Sequence, residues 1–173
     1  MNWRRIHRAH RAGRELADRH YSRQKPGTPQ FVKPGSCLVL HAPGPALWVT
    51  SAPYARFVRH EWAGAWECST FRNEGRLPSS DLIVEAVAAT RAHYGEPPAL
   101  GMITFVDPQR VAGFFVRTPR GRELRWGYSF WKAGFVFCGW TRGLKYALRL
   151  APEAMPLPRQ AVGSQLRLLE AVT

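Results

Sequence analysis

Acidic side chains are scarce in this chain of 173 residues: 12 Asp and Glu stand against 25 Lys and Arg, a formal net charge of +13. A polyamine substrate fits such a surface badly. A polyanionic partner fits it well, nucleic acid first and an acidic cofactor second, although a generally Arg-rich composition that only solubilises the protein is the plain alternative. Long apolar runs are also missing. None approaches the roughly 18–20 residues that span a bilayer, so no membrane partner is expected. The opening stretch, MNWRRIHRAHRAGRELADRHYSR, has Arg but no apolar centre, unlike a secretory leader. Cysteine is sparse: Cys37, Cys68 and Cys138 form no C-x-x-C pair. Each lies in a strand-like segment, which suits buried free thiols in a reducing cytoplasm. No internal repeat is present.

What remains is a sequence built to fold. A hydrophobic fraction of 45% and seven Trp argue for one globular domain, expected over residues 1–156, with a loosely held tail at 157–173. The basic charge is clustered. Residues 1–35 hold nine Lys and Arg against Glu15 and Asp18, more than half of the net charge. A second cluster, Arg110, Arg117, Arg120, Arg122 and Arg125, is opposed only by Glu123. Arg4, Arg8, Arg11, Arg117, Arg120 and Arg122 are the candidate DNA contacts.

Periodicity places the elements. Ile6, Ala9, Ala12, Leu16 and His20 recur at three- and four-residue steps, predicting an amphipathic first helix with Arg4, Arg8, Arg11 and Arg19 on its back. That helix ends before Pro26-Gly27, with His20 pointing inward and Tyr21 beside it. SCLVLHA and ALWVTS around PGP predict a hairpin. A strand follows at 66–72, then a helix capped by Ser79 or Ser80, with Asp81 in its first turn and Leu82, Ile83, Ala86, Val87 and Thr90 buried. Gly95 and Pro97 stop it. LGMITFVDP predicts a buried strand, followed by a basic Gly-rich loop. A short helix around GYSFWKAG and strands at FVFCGWT and LKYALRLA complete an α/β domain with a mixed, mostly antiparallel sheet flanked by helices.

The strand-to-helix turn RNEGRLPSS raises a functional question. A helix N-terminus offers unpaired N–H groups and partial positive charge, and Gly75 lets the backbone approach a ligand closely. Arg72, Asn73, Gly75, Ser79 and Ser80 are therefore candidate cofactor-binding residues. Plain punctuation is the other reading.

Arg72 to Gly75 fits R-x-x-G, the first half of the coenzyme A loop of the Gcn5-related acetyltransferases; Leu77 departs from its second half. SFWKAGFVFCG resembles the short helix and following strand of that superfamily. More narrowly, ADRHYSRQKPG, FVDP and FWKAGFVFCGWT resemble the Mom-type DNA-modification proteins of Mu-like phages, in short blocks from Ala17 to Thr141. The resemblance implies a single acetyltransferase-like domain that adds a carbamoylmethyl-type group to adenine N6 in duplex DNA; an ordinary N-acetyltransferase acting on a small amine or protein Lys, and a non-catalytic DNA-binding protein on the same fold, are the alternatives. Its His-Tyr pair matches His20-Tyr21 and its Asp-Pro matches Asp107-Pro108. Its Tyr aligns with Trp131, where indole can neither move a proton nor bind a metal; Tyr128, one turn earlier, is the candidate substitute.

The chemistry sets its own demands. An exocyclic adenine amine is a poor nucleophile and must be taken out of the stack, beside a base or a metal. His20, Tyr21 and Asp107 supply one nitrogen and two oxygen donors, a set suited to iron or another borderline metal; a core histidine and a turn-forming Asp are the plain alternative. Ser69 is a candidate for polarising the donor carbonyl, and Glu67 for a general base. Trp62, Trp66, Trp126 and Trp131 are candidates for base stacking or for the core. The expected donor is acetyl-coenzyme A or another acyl donor, with a monomer and a homodimer both open.

Overall fold

In the computed structural model, which describes residues 1–163, the chain opens with a strand rather than a helix. β1 (Arg4–Arg5) pairs antiparallel with β2 (Cys37–Ala42), Arg4 opposite His41 and Arg5 opposite Leu40. The cause is Trp3. Its side chain is fully buried, and its indole N–H donates to the Leu82 carbonyl at 2.8 Å. Burying one large aromatic outweighs the weak helical signal of the first turns. Only α1 (Arg11–Asp18) of the expected first helix is helical.

β2 and β3 (Ala46–Ser51) form the expected hairpin, and β3 pairs antiparallel with β4 (Trp66–Asn73). α2 (Ser79–Tyr94) follows, starting after Pro78 at the N-cap with no side-chain cap; the serines expected to cap it are its first two residues. β5 (Met102–Val106) lies parallel to β4. A separate antiparallel pair, β6 (Phe114–Thr118) and β7 (Gly121–Arg125), stands where a basic loop is expected. After α3 (Tyr128–Lys132), β8 (Val136–Trp140) and β9 (Tyr146–Leu150) complete the main sheet.

Seven strands run in the order β1-β2-β3-β4-β5-β9-β8. All neighbours are antiparallel except β4 and β5. That parallel pair holds only from Trp66–Met102 to Cys68–Thr104. β4 continues toward Asn73, while Phe105 and Val106 keep pairing with β9 alone. The strands part there, and a cleft opens in the gap.

Alternation along the strands divides the core between two faces. On one, Leu38, Leu40, Trp48, Trp66, Met102, Leu148 and Leu150 pack with Leu82, Ile83, Ala86 and Val87 of α2. On the other, Leu16 and Ala17 of α1 cover Val39, Leu47 and Val49, and Trp62 with Ala65 covers Ile103 and Ala147. Cys37, Cys68 and Cys138 are free, in β2, β4 and β8.

The segment after Pro156 is more closely held than its composition predicts. The Arg159 N–H donates to Ala88 at 3.1 Å, Val162 donates to Trp3 at 2.9 Å, and Ala161 is buried. Polar backbone pairing with β1, invisible to hydropathy, fixes this stretch. The rest of the expected tail, 164–173, lies outside the described residues. Among the described residues no helix is long and apolar enough to cross a membrane.

Candidate functional site

Where β4 and β5 part, a pocket of about 290 Å³ is walled by Ser69–Phe71, Thr104–Val106 and the start of α3, with His20 and Tyr21 at its side. Four residues expected to carry chemistry therefore meet there: His20, Tyr21, Ser69 and Tyr128. A larger groove of about 1020 Å³ runs between segments 22–37 and 51–60. Tyr21, Ser69, Thr70 and Phe105 belong to both walls, so the two spaces adjoin at those side chains.

His20 and Tyr21 follow the end of α1, and a cluster of charge fixes that end. Arg19 lies in two hydrogen bonds on Glu74, at 2.8 and 2.7 Å, and Arg72 reaches both Glu74 and the Arg19 carbonyl. Hydrogen bonds from Arg19, then from Arg72, pull the Glu74 carboxyl down to about 2. Beyond it, Asp18 accepts from Arg23 at 2.7 Å and from the Gly27 N–H at 2.9 Å, folding the next loop back. The two rings then lie 4.3 Å apart.

Burial, with Arg72 and Lys145 nearby, lowers His20 to about 4, so it is neutral at pH 7. Its Nδ1 is 2.7 Å from the Ser22 hydroxyl. Tyr21 is pushed up to about 12 by burial and stays a phenol; its hydroxyl donates to the Phe105 carbonyl at 3.3 Å. The Ser69 hydroxyl has only a long contact to the Val49 carbonyl, 3.5 Å, and remains available to a ligand. Tyr128 is exposed, its ring edge-on to Phe114 at 5.1 Å.

Asp107 and Trp131 do not line the pocket. One Asp107 oxygen accepts the Gln109 N–H at 3.0 Å, as a turn-forming Asp before Pro does; the other is 3.5 Å from Lys145 Nζ. The Trp131 indole donates to the Trp126 carbonyl at 3.1 Å, and the Arg125 guanidinium lies 4.4 Å over its ring. Trp62 and Trp66 are buried, and Trp126 and Trp131 are partly buried against the core, which favours the core reading of all four. Among the described residues, no group of three or more His, Cys, Asp or Glu is placed to hold a metal ion. The structure does not bring the expected His20, Tyr21 and Asp107 set together in the pocket: His20 and Tyr21 line it, Asp107 does not, and both Asp107 oxygens already have partners.

The 72–80 turn is closed on itself. Asn73 donates to Leu77 at 2.8 Å and to Ser79 at 3.0 Å, and its oxygen accepts the Gly75 N–H at 2.9 Å. Ser80 turns to Asp81. Gly75 is glycine because of the β2–β3 turn: a Cβ there would sit 1.2 Å from the Gly44 carbonyl oxygen. Arg72 holds the end of α1 instead of a ligand. The residues expected to cradle a phosphate thus have structural employment.

The N-terminal arginines share no single helix face. Arg4 is an edge-strand residue, Arg8 reaches the Gly35 carbonyl at 3.4 Å, and Arg11 pairs with Glu15 at 2.9 Å. None lines the groove, whose basic residues are Arg23, Lys25, Lys33, Arg59 and Lys145. These lie in loops without periodicity, and the sequence offered only the excess of charge to find them. No family model, curated protein or solved structure matches this chain.

Proposed function

We propose that this chain is a DNA-modifying transferase of acetyltransferase-like architecture, moving an acyl-derived group onto an exocyclic base amine, adenine N6 above others, in the cytoplasm. The observation that carries the reading is the adjoining of the two cavities at Tyr21, Ser69, Thr70 and Phe105. A two-substrate transfer needs a small cavity for the donor and a second approach for the acceptor. In an acetyltransferase-like sheet the strand corresponding to β4 would run beside the acyl group, and the smaller pocket lies there; the groove, with Lys25, Lys33 and Arg59, suits a strand of nucleic acid.

In the proposed step the amine nitrogen forms a C–N bond to the donor carbon. The bond from that carbon to its leaving sulfur breaks, and the hydrogen lost by nitrogen is replaced by one gained at sulfur. Neutral His20 can take the first proton, and the Tyr21 or Tyr128 phenol can supply the second. The Ser69 hydroxyl donates to the carbonyl oxygen as charge develops there. No step of this scheme is routed through iron: of the three expected ligands only His20 and Tyr21 line the pocket, and the Asp107 oxygens contact Gln109 and Lys145. The closed 72–80 turn lends no support to a pyrophosphate at that position, so the donor is proposed as an activated acyl compound, coenzyme A thioesters being the first to try.

The same turn favours a second reading, a DNA-binding protein that no longer turns over. Mass spectrometry of nucleosides from DNA of cells making the protein separates the two. The expected result is a heavier adenine nucleoside that disappears when Tyr21→Phe and Tyr128→Phe are combined. Unmodified DNA together with tight DNA binding would leave the non-catalytic reading standing.

A further inference from the structure

The β6–β7 ribbon belongs to no other sheet: its two strands pair only with each other. It leaves the body at Val111-Ala112 and returns at Gly127-Tyr128, all four of which line the smaller pocket. The ribbon is therefore rooted on the rim of the proposed reaction site.

Its register sorts its side chains onto two faces. Phe114 opposes Arg125 and Val116 opposes Glu123; this face turns to the body, with Phe114 against Tyr128 and Arg125 over Trp131 and paired with Glu123 at 2.7 Å. On the other face Phe115 opposes Leu124 and Arg117 opposes Arg122. Phe115 is 60% and Leu124 41% exposed, and both arginines are exposed too. Arg120 adds a third charge in the turn, whereas Glu123, the ribbon's acid, lies on the body side.

Two like charges directly opposite each other destabilise an antiparallel pair. Exposed apolar side chains behind them add nothing to the fold, although the Arg122 guanidinium lies 4.6 Å over the Phe115 ring. A bound polyanion reverses the first cost by seating its phosphates at Arg117, Arg120 and Arg122. The major groove of duplex DNA, about 12 Å wide and 8.5 Å deep, admits a two-stranded ribbon. Strands of five residues reach roughly 15 Å, enough to enter it. Phe115 and Leu124 then meet groove walls, where thymine methyl groups offer apolar contact.

We infer that the β6–β7 ribbon inserts into the major groove of duplex DNA through its Phe115, Arg117, Arg122 and Leu124 face and holds the duplex at the pocket rim. This rests on the DNA reading above and adds a location that the reading does not require.

The test is fluorescence anisotropy with a labelled duplex of about 25 base pairs, in a salt series, for the wild type and for R117A/R122A. Each lost phosphate contact lowers the log–log salt slope by about 0.9, so the double variant should lose nearly two units and bind roughly 10- to 100-fold more weakly at moderate salt. Its melting temperature should be unchanged or higher, since a repulsion is removed. A major-groove dye, methyl green, should compete with the wild type, and the minor-groove ligand netropsin should not. Unchanged slope and affinity in a wild type that binds DNA overturns the ribbon while leaving the DNA reading intact. So does competition by netropsin alone. A wild type that binds no duplex at low salt overturns both.

Discussion

An imidazole that stays neutral well below its ordinary range makes a fold sensitive to acid, and His20 is such a group. Its folded value of about 4 lies below the ordinary 6.5. Between those values the unfolded chain holds the extra proton, so the contribution of His20 is full above pH 6.5 and is lost as pH falls toward 4. Each unit of separation corresponds to about 1.4 kcal/mol. His20→Gln should therefore flatten melting temperature against pH over pH 4–6.5, with a residual slope from His41 and His60, also lowered by burial. At pH 7 the variant should be folded and should lose about 10²–10⁴-fold in modified adenine if the imidazole takes the amine proton. Thermal melts across pH and nucleoside analysis of the same preparations check both. Full modification by folded His20→Gln protein removes the residue from the mechanism.

Elements are placed by contacts that no local pattern announces, and the 72–80 turn is the clearest case. Its R-N-E-G stretch reads as a phosphate cradle, yet Gly75 meets Gly44 from the neighbouring hairpin and Arg72 clamps α1 through Glu74 and the Arg19 carbonyl. Gly75→Ala forces the two turns apart and should cost at least the 1–3 kcal/mol of an overpacked contact; Ser80→Ala, which loses only a long contact to its neighbour Asp81, should cost under about 0.5 kcal/mol. Urea denaturation measures both, and equal stability of the two variants would refute the packing role. The β2–β3 hairpin was legible because two short apolar runs, buried on both faces, flank a Pro-Gly-Pro turn, and α2 because Leu82, Ile83, Ala86, Val87 and Thr90 recur with a 3.6-residue period. β1 was not, because Trp3 acts through a hydrogen bond to Leu82, far along the chain. β6 and β7 read as a loop because charged and apolar residues share both faces of the ribbon, so no clean alternation marks either strand. Likewise His20, Tyr21, Ser69 and Tyr128 were legible from residue type and motif, whereas Lys25, Lys33 and Arg59 come together only when two loops fold over β4.

For the whole molecule the question is which surface, besides the β6–β7 ribbon, carries a duplex. A net charge of +13 attracts DNA from every side, but only charges without a carboxylate partner displace counterions fully when phosphate arrives. Arg11 is already paired with Glu15, and Arg8 points to a backbone carbonyl. Lys25, Lys33 and Arg59 face the groove, which holds Glu67 as its acid. Neutralising these three together should lower the salt slope of duplex binding by about two to three units. Neutralising Arg4, Arg8 and Arg11 should lower it by about one or less, although those residues lie in the more basic part of the sequence. Salt titrations of both triple variants, with circular dichroism to confirm folding, decide between the surfaces. The reverse order would put the duplex over the edge strand β1 and leave the groove to a smaller acceptor. The proposed adenine would then have no path to Tyr21 and Ser69, and the transfer reaction would need another acceptor.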